Sequence, residues 1–391
     1  MPPKSSLLIL CAVIFTDMLA FSIVIPSLPF VVTAFGGTGI ALGLLFTGYS
    51  LAQFIAAPLL GRLSDRVGRR PLLLAALLGS TLSLLVCAVA PNIWILVLGR
   101  VVGGLFGGSI SVAMATLSDL TEPDKRTRVM GMGGASIGLA FTVGPAIGAL
   151  AAPLGFGAVC LIGATIAGLN FLAAIWLLPH AARRAAVAAP AQPLGAGFWR
   201  LLVVTGLTMV VFVGMETTLG LLVHDRFAIT ASGLGWLLTL AGIASIVAQA
   251  GLVWRLSARF GDWIVAAGAA TLIGVALATL PMSPFAIFIV GVCIVGAAQG
   301  ALTNITASMA SRLAPPGATG RYVGLNQAFS ALGRVVGPVL AGALYDWGPQ
   351  AGYLILGVLS LAGAVVALRN RGLAERKPAA AEALSSRPLA G

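Results

Sequence analysis

Charge is scarce in this sequence: only 9% of its 391 residues are Asp, Glu, Lys or Arg, against about a quarter in soluble globular proteins. Acids are scarcest, 11 Asp and Glu standing against 23 Lys and Arg. So few charges cannot cover a water-facing surface of this size, which excludes a soluble globular fold. Histidine occurs twice and cysteine four times. Cys11, Cys87, Cys160 and Cys293 each sit alone in an apolar run, at no metal-ligating or redox spacing, and read as small core residues with no disulfide framework and no metal site. No Gly-x-x-x-x-Gly-Lys stretch occurs, so no phosphate-binding loop of that type supplies nucleotide energy. A recognisable nucleophile or acid-base cluster is also lacking, which argues against a membrane enzyme.

What is present is apolar sequence: 59% of the residues, with a mean hydropathy of +1.04. Runs such as 72–90 and 263–280 carry no charge at all. An outer-membrane barrel alternates apolar and polar residues and lacks such runs, so the class is helical. At ~20 residues per span, charge-poor runs predict twelve helices at 7–31, 41–60, 72–90, 93–117, 129–151, 157–178, 200–223, 234–254, 263–281, 285–309, 321–345 and 350–369. The segment Met1 to Ser6 carries one Lys and no small-residue cleavage site, so the first run reads as an uncleaved span.

The cations sort by side. Twenty of the 23 fall at the N-terminus, in the even-numbered connections or in the C-terminal tail: Lys4; Arg62, Arg66, Arg69, Arg70; Lys125, Arg126, Arg128; Arg183, Arg184, Arg200; Arg255, Arg259; Arg312, Arg321; Arg369, Arg371, Arg376, Lys377 and Arg387. The opposite side holds Arg226 alone. By the positive-inside rule this predicts an inner-membrane, multi-pass protein with both termini cytoplasmic. The excess of +12 thereby becomes a topology signal, with lipid headgroups as partners and no nucleic acid.

A repeat appears at one constant shift of 193 residues. Arg62-Leu63-Ser64-Asp65-Arg66-Val67-Gly68 recurs as Arg255-Leu256-Ser257-Ala258-Arg259-Phe260-Gly261. At the same shift Pro91 meets Pro284, Gly107 meets Gly300, Arg128 meets Arg321, Gly131 meets Gly324, and Gly144-Pro145 meets Gly337-Pro338. Parallel repeats of this kind place a site between two halves near the bilayer midplane. The expected organisation is a six-helix bundle over 1–178, an Ala- and Pro-rich cytoplasmic linker over 179–198, a second six-helix bundle over 199–370 and a cytoplasmic tail over 371–391.

The stretch Gly61-Arg62-Leu63-Ser64-Asp65-Arg66-Val67-Gly68-Arg69-Arg70-Pro71 resembles the signature loop of the major facilitator superfamily, between its second and third helices. The resemblance extends from Asp17 to Gly337-Pro338 and implies that superfamily's all-α fold, twelve transmembrane helices in two pseudo-symmetric six-helix bundles. It also implies a gating role for the loop, carried by Gly61, Asp65, Arg66, Gly68, Arg69 and Arg70. Leu96-Val97-Leu98-Gly99-Arg100-Val101-Val102-Gly103-Gly104 is similar to the superfamily's proton-coupling motif, with Arg100 as its intramembrane cation. Gly131, Gly138, Gly144, Pro145 and Gly148 on the fifth helix resemble the helix-packing motif of its drug and proton antiporters, with Ala140 and Ala149 where that pattern prefers Gly. Small residues there let helices approach closely, and a proline removes a helical hydrogen bond. Asp17 followed by Pro26-Ser27-Leu28-Pro29 resembles the first helix of tetracycline-type and multidrug exporters.

Two features depart from that pattern. The eighth and ninth helices carry no ionisable residue where tetracycline exporters have a His and an Asp, and Arg334 has no cationic counterpart in them, so the resemblance does not extend to tetracycline itself. Four charges remain inside spans: Asp17, Arg100, Glu216 and Arg334. Intramembrane charges are costly, and a carboxylate at that depth can exchange a proton as water access changes sides. Arg334 is placed to pair with Glu216 or to hold an anionic group of the substrate. Gln53, Gln249, Gln299, Asn304, Asn326 and Gln327 are buried amides that can face a cavity or bond between helices, and His180 and His224 read as loop residues on opposite sides.

Together these features predict a monomeric, proton-coupled antiporter that exports amphipathic small molecules or drugs by alternating access, with the proton as coupling ion and no cofactor. The competing reading is an exporter of a specific metabolite, sugar, lipid or siderophore. A channel fits less well, because it needs neither the half-to-half repeat nor a cytoplasmic gating loop.

Overall fold

The computed structural model describes residues 4–107, 109–121, 126–178, 193–315 and 318–369. The expected tail, His180, most of the expected linker with Arg183 and Arg184, and Lys125 lie outside the described residues, as do the side chains of Lys4, Asp65, Arg126 and Arg128. Among the described residues no strand occurs, and eleven helices are long and apolar enough to cross a bilayer.

The first span is α1 (Lys4–Ser22) and α2 (Leu28–Ala34), joined by a 3-10 turn at Ile25–Ser27. The sequence predicted one uninterrupted helix here. Pro26 and Pro29 each withdraw a backbone donor, and the chain tightens where those bonds are missing. The next spans are α3 (Gly39–Val67) and α4 (Arg69–Ala88), followed by α5 (Ile93–Phe106) and α6 (Ser109–Asp119). The Asn92 side chain starts α5 by accepting from the Trp94 and Ile95 amides, both at 3.1 Å, as an N-cap does. The fourth span is therefore also broken, at Gly107, where a continuous helix over 93–117 was expected. The break is tolerated at membrane depth because the Gln53 amide donates to the freed Gly107 carbonyl at 2.8 Å.

The chain continues through α7 (Arg126–Ala151), α8 (Phe156–Leu177), α9 (Ala196–Phe227) and α10 (Ala231–Val247). A π turn at Ala248–Leu252 leads into α11 (Val253–Phe260), and α12 (Asp262–Thr279), α13 (Phe285–Arg312), α14 (Thr319–Trp347) and α15 (Pro349–Leu368) complete the fold. The expected gating loop is mostly helix: α3 runs to Val67 and α4 begins at Arg69, with Gly68 alone as the turn at φ +106°. Only glycine adopts that backbone without strain. Large apolar side chains such as Trp176, Leu59 and Val247 are exposed on the outer surface, as expected where lipid is the solvent.

The two halves of the chain meet along two seams, α3 against α14 and α7 against α10. Among the described residues, the glycines along the seams differ between the two ends. Toward the arginine-poor face, side chains added at Gly43, Gly235 or Gly242 would overlap Pro338, Pro145 or Thr142 across the seam. Toward the arginine-rich face, Gly61, Gly131, Gly138, Gly251 and Gly324 have open space where a side chain would be. Among the described residues, the halves are thus in close contact at the arginine-poor mouth, and these glycines meet no facing residue toward the other.

Candidate functional site

Small residues set the position of the central cation. On α5, Gly99 packs against Cys87 and Ser83 of α4, and the Ser83 hydroxyl donates to the Gly99 carbonyl at 2.7 Å. Gly104, one turn on, lies directly against the Tyr49 carbonyl of α3. These approaches bury Arg100, which is 3% exposed, in a cage of aromatic rings. Its guanidinium carbon stands 4.5 Å from the centre of the Tyr49 ring, 4.9 Å from Phe21 and 6.0 Å from Phe46. Ring faces stabilise a desolvated cation, yet its Nε and Nη2 have no hydrogen-bond acceptor. Arg100 is therefore held in place with hydrogen-bonding capacity unused.

Tyr49 is the residue that sequence reading missed. Its ring packs on Phe21 at 4.7 Å, and its hydroxyl lies beside Gly107 at the break in the fourth span. It is within electrostatic reach of Arg100 and Asp17 from its own half and of Arg334 from the other. Arg334, on α14, is in turn within electrostatic reach of Glu216, half-buried on α9, and its Nη1 contacts the Ser330 hydroxyl at 3.4 Å. Tyr49 thus lies among three of the four intramembrane charges, and Arg334 is close to the fourth, Glu216. One aromatic among many in apolar spans gives no signal in the sequence.

Asp17 is 5% exposed and lines a small pocket with Val13, Ile14, Leu73, Leu77, Ile110 and Ala113 of α1, α4 and α6. A groove of about 350 Å³ lies off the seam between α1 and α8, lined by Ile9, Val13, Thr16, Ile166 and Asn170.

The amides mostly bond between helices. Besides Gln53, the Asn304 amide donates to Gln249 at 2.9 Å, and Gln249 donates to Ser245 at 2.8 Å beside the π turn. Asn326 is 3% exposed and accepts from Thr205 at 2.7 Å, which removes it from any cavity surface. Gln299 is buried with its oxygen unpartnered. A construction repeats here: Gly107 packs against Gln53 and Tyr49, and Gly300, at the shift of 193, packs against Gln249 and Ser245.

At the arginine-rich face, Arg69 donates to the Ser64 hydroxyl at 2.5 Å, Arg70 donates to the Ile175 carbonyl of α8, and Arg66 is exposed. Arg312 pairs with Asp262 at 2.6 Å. The positions 193 residues earlier are Arg69 and Asp119, the same two charges exchanged. The helix-packing motif divides. Gly144 and Gly148 lie hard against Ser22 and Ile23, where the first span is broken, whereas Gly131 and Gly138 contact no neighbour, contrary to the packing role expected of them. His224, expected in a loop, sits in the last turn of α9 with Phe30 of α2 edge-on to its ring at 5.7 Å.

Two helical halves joined along seams, with charges held at membrane depth, are the construction of a polytopic membrane transporter. The chain belongs to the major facilitator superfamily, whose family model matches residues 10–227 and 201–390. It is 30% identical over 361 residues to the class C tetracycline resistance protein of Escherichia coli, covering 88% of this chain and 91% of that protein. It is 31% identical over 358 residues to major facilitator superfamily domain-containing protein 10 of Bos taurus, covering 82% of this chain and 76% of that one. Among solved structures, that of the human organic anion transporter MFSD10 superposes with a TM-score of 0.71 at 24% identity, covering 94% of this chain and all of that one.

Proposed function

We propose that this transporter is a proton-coupled antiporter that exports amphipathic small molecules across the inner membrane. The observation that carries the reading is the set of four charges at membrane depth, two from each half, with Tyr49 within electrostatic reach of three of them. In alternating access, each half offers its charges first to one side and then to the other. Asp17 or Glu216 takes up a proton from the outer side, and the substrate displaces it from the inner side. Arg100, pinned by rings with two nitrogens unpaired, is poised to receive a carboxylate or an anionic ligand group when the proton leaves. With the arginine-rich face in the cytoplasm, the state described above is inward-open. Asp65, Arg66 and Arg69 then close the cytoplasmic mouth in the opposite state.

One observation favours a second reading of the cargo. Two arginines, one with unmet donors and the other with a single long contact, suit a substrate bearing an anionic group, and a relative is described as an organic anion transporter. Inside-out vesicles containing the chain, energised to an acidic interior, test both. Uptake of amphipathic dyes that collapses with the gradient supports antiport. Uptake unchanged by collapsing the gradient rules it out, and preference for anionic over cationic dyes decides the cargo.

A further inference from the structure

The closed mouth is fastened by an unusual helix cap. The second span, α3, opens at Gly39 after Thr38, whose side chain caps nothing. The first amides of a helix have no partner in their own helix. Here they are met from the other half of the molecule: the Gly39 N–H donates to Oδ1 of Asp346 at 2.7 Å, and the Ile40 N–H donates to Oδ2 at 2.8 Å. Asp346 lies in the last turn of α14. A carboxylate taking two backbone N–H groups at a helix N-terminus combines charge-assisted hydrogen bonding with a favourable place on the helix dipole.

The rest of the seam lets the two backbones come close enough. Gly342 of α14 lies against the Gly39 carbonyl, and Gly43 of α3 lies against the Pro338 carbonyl. Deeper in, the Thr47 hydroxyl donates to the Val335 carbonyl at 2.7 Å. Neighbouring charges are committed elsewhere. Asp225 accepts from the Tyr345 hydroxyl at 2.5 Å within the same half, and Arg226 donates to the Leu280 and Ser283 carbonyls at 2.9 Å and 3.0 Å. Asp346 itself is exposed.

We infer that Asp346 is the latch of the arginine-poor mouth, capping α3 across the seam while that mouth is shut and releasing it each time the mouth opens. The inference rests on alternating access as the transport mode. Its exposure suits the task, because water replaces both hydrogen bonds on opening and the latch stays weak enough to break in every cycle.

The test is a distance distribution measured by pulsed electron resonance on the full chain in nanodiscs, with the four native cysteines replaced. Spin labels at Leu154→Cys and Met282→Cys, exposed by 70% and 72% on the two halves at this face, report the mouth. Asp346→Ala is expected to raise the ratio of parted to closed molecules by about tenfold, as follows from losing hydrogen bonds to an ionised acceptor. Asp346→Asn, which keeps the shape and loses the charge, shifts it in the same direction by less and serves as the deciding variant if the alanine protein fails to fold. Asp225→Asn, whose partner is in its own half, leaves the distribution unchanged. A distribution in both Asp346 variants identical to the parent, or an equal shift in Asp225→Asn, overturns the latch. Because the measurement uses neither gradient nor substrate, its outcome is separate from that of proton coupling, and vesicle uptake by the parent tests alternating access independently.

Discussion

Replacing Arg100 by methionine is expected to leave the protein as stable as before, or more so, while abolishing gradient-driven transport. Two opposing effects set the magnitude. The rings of Tyr49 and Phe21, at 4.5 Å and 4.9 Å, each stabilise the cation by roughly 0.5–2 kcal/mol. Against this, two buried nitrogens without acceptors cost about 1–3 kcal/mol each, and more for a charged group. At mid-range the two effects differ by about 1.5 kcal/mol on the side of the methionine variant, whose flexible apolar side chain can occupy the space of the arginine stem. Thermal unfolding of the purified protein gives the stability, and uptake into proteoliposomes under an imposed pH difference gives the function. Arg100→Lys keeps the charge but loses the flat stacked guanidinium, and should retain less than about a tenth of the transport rate, or ~1.4 kcal/mol of barrier. A methionine variant that unfolds well below the parent would make Arg100 a structural cation. A methionine variant that still transports would remove it from the mechanism.

Four further substitutions probe the carboxylates and the packing around them. Asp17→Asn should abolish gradient-driven export while the protein still inserts; uptake at the parent rate into inside-out vesicles would exclude this carboxylate as a proton site. Glu216→Gln should lower the number of protons exchanged per substrate, read from the gradient at which net flux stops, and an unchanged reversal point would exclude it. Gly148→Leu places a side chain on the Ile23 carbonyl and should destabilise by several kcal/mol, as overpacking typically costs 1–3 kcal/mol even where neighbours can yield. Gly138→Leu, with open space around it in this state, should leave thermal stability within ~0.5 kcal/mol of the parent.

Much of the fold could be read from residue types alone, because hydrocarbon penalises charge and exposed backbone so strongly that spans, connections and face asymmetry are written in composition. The repeat was visible because glycines and prolines answer to local backbone needs that recur in both halves, as Gly107 and Gly300 do against their glutamines. Breaks in spans were harder to see. Pro26 and Pro29 signal one plainly in retrospect, but the break at Gly107 depends on Gln53 reaching it from another helix. For the site, a charge in a span announces itself, as Asp17, Arg100, Glu216 and Arg334 do. The place of Tyr49 among three of them was not legible, and neither was Asp346, which sits just beyond the expected helix end and looks like any acid in a short connection. Gly131 and Gly138 show a different limit: small-residue spacing signals capacity for close packing, whereas the conformational state decides whether a partner helix is there.

Proton exchange against substrate is the centre of the account, and proton release on binding measures it most directly. Purified protein in weakly buffered solution, mixed with a transported compound, should release protons to a pH indicator in saturable proportion to the compound bound, and the Asp17→Asn, Glu216→Gln double variant should release none. Saturable binding with no proton release from the parent protein would contradict it.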